Sequence, residues 1–184
     1  MRNRTRRLTA MAMMLALILV LSYIEHLLPP LPYLPPQVRL GLSNIVVMYM
    51  LFSFGVRSAL LLSALKSFFV VAMRGPTAGI LSICGGLLSV GVLWVFAAHQ
   101  RGDKHYIAWS IFGAIAHNIG QMAAASLLLQ INVVLYYLPI LIVSGALMGG
   151  VTGFVLRIVL PYFDKAYRND QNEWKHNEKD RPSE

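Results

Sequence analysis

Apolar residues fill most of the chain in long runs, separated by short polar or proline-rich breaks. A helix that crosses a bilayer core needs about 20 mostly apolar residues. Runs of this length predict an all-α integral membrane protein with six transmembrane helices and no soluble domain. The predicted spans cover approximately residues 8–28, 40–56, 57–74, 77–99, 106–130 and 133–160.

The breaks between these spans have local chemical reasons. Five prolines between residues 29 and 36 end the first run, because proline cannot continue a helix. Gly55 and Gly75 mark two tight connections, and residues 100–105 are plainly polar. We therefore predict one six-helix domain over residues 1–161, followed by a polar cytoplasmic tail, 162–184, that forms a frayed helix or is disordered.

The distribution of charge sets the predicted orientation. The tail holds six of the eight acidic and five of the sixteen basic residues, so residues 1–161 keep two acids against eleven bases. Most of these bases lie at the N-terminus and in the loops of one side, whereas Arg39 and Arg74 alone lie on the other. The positive-inside bias then places both termini in the cytoplasm. The net charge of +8 reflects topology and contact with lipid headgroups, and indicates no nucleic-acid partner.

Polar and ionisable side chains within the predicted spans are few. Such groups are costly in lipid, so they usually face a cavity or one another. With the orientation above, they share a depth between the bilayer midplane and its outer surface. We predict an outward-open pocket that binds a small anionic molecule, lined by Glu25, Arg39, Asn44, Lys66, His117, Asn118 and Gln121.

Charge and spacing suggest a role for each of these side chains. Lys66 supplies a compact positive charge, and Arg39 supplies a planar fork suited to carboxylate or phosphate. Three residues of the fifth span, His117, Asn118 and Gln121, are three and four positions apart, so they share one helix face. We expect that face to recognise polar edges of the ligand.

Structural alternatives apply to the same residues. Glu25 either clips the first two helices together by pairing with Arg39, or orients Arg39 or a ligand cation. Snorkelling to outer headgroups is an alternative explanation for Arg39. Lys66, near the middle of its span, either serves function or forms an ion pair. The polar face of the fifth span is also explained by interhelical hydrogen bonds.

Two strips of small residues predict close contacts between helices. Gly145, Gly149 and Gly153 recur every four positions on the sixth span, and packing inside the bundle explains this face. Ala12 and Ala16 form a flat strip near the cytoplasmic end of the first span. This second strip is suited to docking another membrane subunit.

Motifs for catalysis are absent from the sequence. It contains no Walker A loop, no Ser-His-Asp arrangement and no acidic cluster that would hold magnesium against a diphosphate. Cys84 is the sole cysteine, so thiolates cannot form a metal site. We predict that the chain is not an enzyme and carries no resident metal or cofactor.

Five segments resemble a known bacterial membrane family. They are LSYIE (21–25), RLGLSNI (39–45), GGLLS (85–89), AHNIGQ (116–121) and YYLP (136–139). Over roughly residues 8–160 the chain resembles the Gx transporters, which are also labelled heptaprenyl diphosphate synthase component I. That family is in turn similar to the substrate-binding S components of energy-coupling-factor (ECF) transporters.

The resemblance implies a six-helix bundle in the bacterial cytoplasmic membrane, with a pocket that faces outward. It further implies that Ala12 and Ala16 contact a transmembrane coupling subunit, which two ATPases drive. The label instead suggests an accessory membrane subunit of heptaprenyl diphosphate or quinone side-chain synthesis. A third possibility is a stand-alone secondary carrier, although only Glu25 and His117 look able to exchange protons within the spans.

Overall fold

The computed structural model describes residues 2–27, 41–99, 105–129 and 134–179, and all regular structure in these ranges is α-helical. Residue Arg39 and the proline-rich segment around it lie outside the described residues. The helices are α1 (Arg2–Leu27), α2 (Leu42–Phe54), α3 (Val56–Arg74), α4 (Pro76–His99), α5 (Tyr106–Leu129) and α6 (Val134–Lys179).

The predicted all-α membrane architecture with six helices is confirmed, with one helix shorter than expected. Within the described ranges, five helices are long and apolar enough to cross a membrane. The other, α2, has 13 residues where the sequence predicted a span over 40–56. At 1.5 Å per residue it is about 20 Å long, which is less than the roughly 30 Å of a bilayer core.

The chain turns sharply at single glycines between α2 and α3 and between α3 and α4. Gly55 and Gly75 have φ angles of 87° and 90°, a region that glycine adopts without steric cost. Their N–H groups donate to Leu51 O at 3.1 Å and Val71 O at 2.9 Å, which satisfies carbonyls at the helix ends. Both connections agree with the tight turns predicted from the sequence.

Helices α2 to α6 form a closed ring around the core. Each packs on the next along the chain, α6 returns to contact α2, and α1 lies against α2 and α3. The most deeply buried large side chains come from five of the helices, so the core is shared across the bundle: Ile18, Met50, Leu62, Val90 and Leu156.

The glycine strip of α6 faces α5, which agrees with its expected packing inside the bundle. A Cβ atom at Gly149 would lie 2.6 Å from Ile111 Cα, and one at Gly153 would lie 2.8 Å from Ile107 Cα. At Gly145 the corresponding distance to Ile115 Cα is 3.2 Å. The two backbones therefore approach closely only because these positions have no side chain.

At its C-terminal end, α2 is capped by a cation from α1. Arg7 Nη2 donates to Phe54 O at 3.1 Å and to Ser58 Oγ at 2.8 Å. A positive charge is favourable here, because the last carbonyls of a helix lack intrahelical partners and carry its negative dipole end. The arginine-rich start of the chain thus contributes to packing as well as to orientation.

The tail is helical as far as the described residues extend. Helix α6 continues through Pro139 and Pro161 to Lys179, and residues 180–184 lie outside the described ranges. Of the two sequence-based expectations for residues 162–184, the helical one holds up to Lys179. The predicted boundary between residues 161 and 162 is therefore a change of composition within one helix.

Candidate functional site

A cavity of about 140 Å³ lies inside the bundle, with side chains from all six helices in its wall. Since each water takes about 30 Å³ in the liquid, the cavity has room for about five waters or a compact solute of similar size. The structure brings six of the seven predicted pocket residues to this cavity, and the seventh, Arg39, is outside the described residues. The six are Glu25, Asn44, Lys66, His117, Asn118 and Gln121.

The cavity reaches the end of the bundle that the sequence predicted to face outward. Its wall includes Tyr23 and His26 in the last turns of α1, Arg74 at the end of α3 and Ala78 at the start of α4. Successive helices run in opposite directions, so these positions meet at one end. The predicted polar side chains line the same cavity as these residues.

Helix α2 begins at the cavity wall. Gly41 and Asn44 both line the cavity, and a Cβ at Gly41 would lie 4.0 Å from Thr152 Cγ2 on α6. Because α2 starts here, the positive end of its dipole points toward the cavity. Because α2 is short, its N-terminal end, which carries the positive end of the helix dipole, lies inside the protein.

Glu25 occupies that positive end. Its Oε1 accepts a hydrogen bond from the Leu42 N–H, and its Oε2 accepts one from Ser43 Oγ at 3.4 Å. Both donors lie in the first turn of α2, where N–H groups have no intrahelical partner. The sequence left open whether Glu25 clips the first two helices by pairing with Arg39 or orients Arg39 or a ligand cation; among the described residues it caps α2.

A charge-assisted hydrogen bond joins α3 to α2 beside this cap. Lys66 is buried, and its Nζ donates to Asn44 Oδ1 at 2.7 Å. Such bonds to an ionised donor are shorter and stronger than neutral ones. The pair fixes the position of the ammonium group in the cavity wall, one turn into α2.

The polar face of α5 combines a structural and a cavity-facing part. Asn118 Nδ2 donates to Leu141 O of α6 at 3.0 Å, so the interhelical interpretation holds for this amide. His117 Nδ1 is buried and has no hydrogen-bond partner among the described atoms. A Cβ at Gly85 would lie 3.0 Å from His117 Cε1 and 2.7 Å from Gln121 Cγ, so glycine on α4 makes room for both.

Several cavity residues were not singled out by the sequence. Ser22 is 9% exposed, and its Oγ has no partner among the described atoms. It lies three positions before Glu25, so helical spacing on α1 could have identified it. Ser110 and Thr152, whose hydroxyls are 2.8 Å apart, carry no such signal, because hydroxyls are common in membrane helices.

Metal-binding groups do not form a cluster in the described parts of the chain, where no three histidine, cysteine, aspartate or glutamate side chains come together. The described cavity wall contains one acidic residue, Glu25, and its carboxylate is engaged by α2. The arrangement is suited to binding a solute through charge and hydrogen bonds.

Comparison with known protein families shows which family the chain belongs to. The family described as heptaprenyl diphosphate synthase component I matches residues 14–159. The chain belongs to this family. The resemblance predicted from LSYIE, RLGLSNI and AHNIGQ is therefore confirmed. No curated protein sequence matches the chain.

A solved structure with a similar backbone shows which fold the chain adopts. The chain is similar to a solved structure described as the S component of a bacterial ECF transporter, with a TM-score of 0.64 and 21% identity. The likeness covers 91% of this chain and 98% of the other. This heptaprenyl diphosphate synthase component I relative thus has the fold of an S component and is a multi-pass membrane protein.

Proposed function

We propose that the chain is a membrane substrate-binding subunit, similar to an S component, that serves the uptake of a small anionic solute. It binds the solute from outside and passes it inward with a transmembrane coupling subunit and two partner ATPases. The proposal places it in the bacterial cytoplasmic membrane with both termini inside. The convergence of Glu25, Asn44, Lys66, His117 and Gln121 on one cavity, within an S-component fold, carries this proposal.

Charge supports an anionic solute. Lys66 and Arg74 are the cationic side chains in the described cavity wall, and Glu25 is its acidic one. Because the carboxylate of Glu25 interacts with the positive end of α2, the wall retains positive potential. Lys66, with Arg39 from the preceding segment, holds the negative group of the solute, while His117, Asn118 and Gln121 contact its polar edges.

The exposed face of α1 supports the proposed docking to a coupling subunit. Ala12 and Ala16 are both exposed, and the strip continues at spacings of four through Leu8 (68% exposed) and Val20 (54% exposed). The opposite face of α1 packs on α2 and α3. Small residues in such a strip allow another helix to approach closely.

Enlarging the alanine strip should abolish co-purification of the coupling subunit. In Ala12→Leu with Ala16→Leu, the added side chains would separate the two helix surfaces. Ala108→Leu, at an exposed alanine near the same end of α5, is the matched control and should leave co-purification unchanged. Tagged proteins are purified from native membranes in mild detergent, and partners are identified by mass spectrometry.

The same purification tests the second candidate function. The family description favours an accessory membrane subunit of heptaprenyl diphosphate or quinone side-chain synthesis. Recovery of a soluble prenyl synthase, with no ATPases and no solute uptake in proteoliposomes, would support that candidate against ours. Recovery of a coupling subunit with two ATPases, sensitive to the alanine substitutions, would support the uptake function.

A further inference from the structure

The size of the cavity limits the size of the solute. Its volume of about 140 Å³ corresponds to about five waters of the liquid. The wall from α2 also approaches the wall from α6 closely, because a Cβ at Gly41 would lie 4.0 Å from Thr152 Cγ2 and both residues line the cavity. The solute that fits this space is therefore compact.

Three side-chain amides present polar atoms that a solute can reach. Asn44, Asn118 and Gln121 all line the cavity. In the described part of the chain, Ser22 Oγ and His117 Nδ1 are buried without partners, and these two atoms are closed to the cavity. The unpaired atoms of the three amides are not enclosed in this way. Recognition of the solute by hydrogen bonds is thus assigned to the amides.

The hydrogen bonds of two of these amides fix which of their atoms remains open. Lys66 Nζ can only donate, so it contacts Asn44 Oδ1, and Asn44 Nδ2 is left as a donor without a partner among the described residues. The Leu141 carbonyl can only accept, so it contacts Asn118 Nδ2, and Asn118 Oδ1 is left as an acceptor. A carboxylate is therefore favoured beside Asn44 and disfavoured beside Asn118.

Gln121 presents a complete carboxamide to the cavity. Its side chain makes no hydrogen bond to any residue that the structure describes, and it lines the cavity wall. A carboxamide carries a C=O acceptor and N–H donors side by side. Two parallel hydrogen bonds form when a solute presents the complementary pair, an N–H next to a C=O. A lactam has this pair on one edge, because its ring holds the amide bond in the cis form.

Contacts through α4 place Gln121 at the same level of the bundle as Lys66. Ser67 Oγ, next to Lys66 in the chain, donates to Ser82 Oγ of α4 at 3.1 Å. One turn further along α4, a Cβ at Gly85 would lie 2.7 Å from Gln121 Cγ. Because one helical turn rises about 5 Å, a compact solute can reach the cation and the carboxamide together.

We propose that the solute is a compact carboxylic acid that also carries a cyclic amide, an inference that rests on the proposed function. Its carboxylate accepts a hydrogen bond from Asn44 Nδ2, beside the Lys66 ammonium group. Its amide N–H and C=O pair with the carboxamide of Gln121. The acceptor oxygen of Asn118, one turn from Gln121 on α5, repels a carboxylate and so keeps the two ends of the solute in this orientation.

Three probes of similar size test this solute class. The purified protein in lipid nanodiscs is titrated calorimetrically with pyroglutamate, cyclopentanecarboxylate and 2-pyrrolidinone, with empty nanodiscs as the blank. Pyroglutamate carries both a carboxylate and a lactam, whereas each of the other two carries one of these groups. It should therefore bind at least about tenfold more tightly than either. Equal or tighter binding of cyclopentanecarboxylate or 2-pyrrolidinone, or no measurable binding of pyroglutamate, would overturn the proposal.

Substitution of Gln121 tests which residue recognises the amide. Gln121→Leu removes both partners of the lactam, so it should weaken pyroglutamate binding by about 5- to 100-fold without weakening cyclopentanecarboxylate binding. Ala123→Leu, at an exposed position in the same turn of α5, is the matched control and should weaken neither. Lys66→Met should instead weaken both acids alike. Equal losses of both acids in Gln121→Leu would contradict the assignment of the amide to this residue.

The uptake function is tested separately from the solute class. Mass spectrometry of the natively purified protein reports co-purifying proteins and any retained small molecule. A coupling subunit with its ATPases, recovered together with a retained acid that has no amide, would overturn this solute class and preserve the uptake function. Selective binding of pyroglutamate, with neither a coupling subunit nor solute uptake, would support the solute class and overturn the uptake function.

Discussion

Addition of one methyl group at Gly149 is expected to destabilise the protein by about 1–3 kcal/mol, the usual cost of overpacking a tight interface. The new Cβ in Gly149→Ala would lie 2.6 Å from Ile111 Cα and 2.8 Å from Ser110 O. Both are backbone atoms, so relief requires α5 and α6 to separate. These two helices form the most extensive contact in the bundle.

The neighbouring glycine provides a matched control. A Cβ at Gly150 would meet no atom within 4 Å, so Gly150→Ala should leave stability unchanged or raise it slightly through helix propensity. Thermal unfolding of both variants in the same detergent measures the difference. Equal melting temperatures for the two alanine variants would show that α5 and α6 adjust without cost, contrary to the close backbone approach described above.

Removal of the Glu25 carboxylate is also expected to destabilise the protein substantially. In Glu25→Ala, the Leu42 N–H and the Ser43 hydroxyl lose their acceptor within the protein. Loss of a hydrogen bond to a charged group typically costs about 1.5–3 kcal/mol. Glu25→Gln keeps an acceptor oxygen for the N–H but removes the charge that favours the helix N-terminus, so its loss of stability should be smaller.

Thermal unfolding without added solute shows whether the Glu25 carboxylate stabilises the protein by capping α2 or serves solute binding alone. The expected order of melting temperature is wild type, then Glu25→Gln, then Glu25→Ala. If Glu25→Ala is as stable as the wild type or more stable, the buried carboxylate costs as much as it contributes. It would then be retained for solute binding, and the capping role proposed here would be wrong.

Much of the fold could be predicted from the sequence, because a bilayer imposes strong rules on length and polarity. All six helices were expected near their observed positions, and the single-glycine turns at Gly55 and Gly75 were visible in the sequence. The short length of α2 could not be predicted from the sequence, because the apolar pattern continues on both sides of this helix. The helical continuation of α6 past Pro161 was one of two alternatives left open by the polar composition.

The sequence indicated which polar side chains lie near one another, but not which contacts they make. Polar residues in apolar spans are rare, and this rarity singled out Glu25, Lys66 and His117, which line the same cavity. The sequence could not reveal that Asn118 donates to a carbonyl of α6, or that Glu25 caps α2. Those contacts depend on helix rotation and on where a neighbouring helix begins. Ser22, Ser110 and Thr152 were missed because single hydroxyls are unremarkable in such spans.

The caps and bonds of the first three helices have a consequence for biosynthesis. Glu25 contacts residues 17 and 18 positions later, and Lys66 contacts Asn44, 22 positions earlier. The partners of both buried charges are therefore present in the chain before α4 has been synthesised, and we expect them to pair at that stage. Such early pairing would let the two most polar side chains of the bundle enter lipid already matched, leaving the later helices to close the cavity around them.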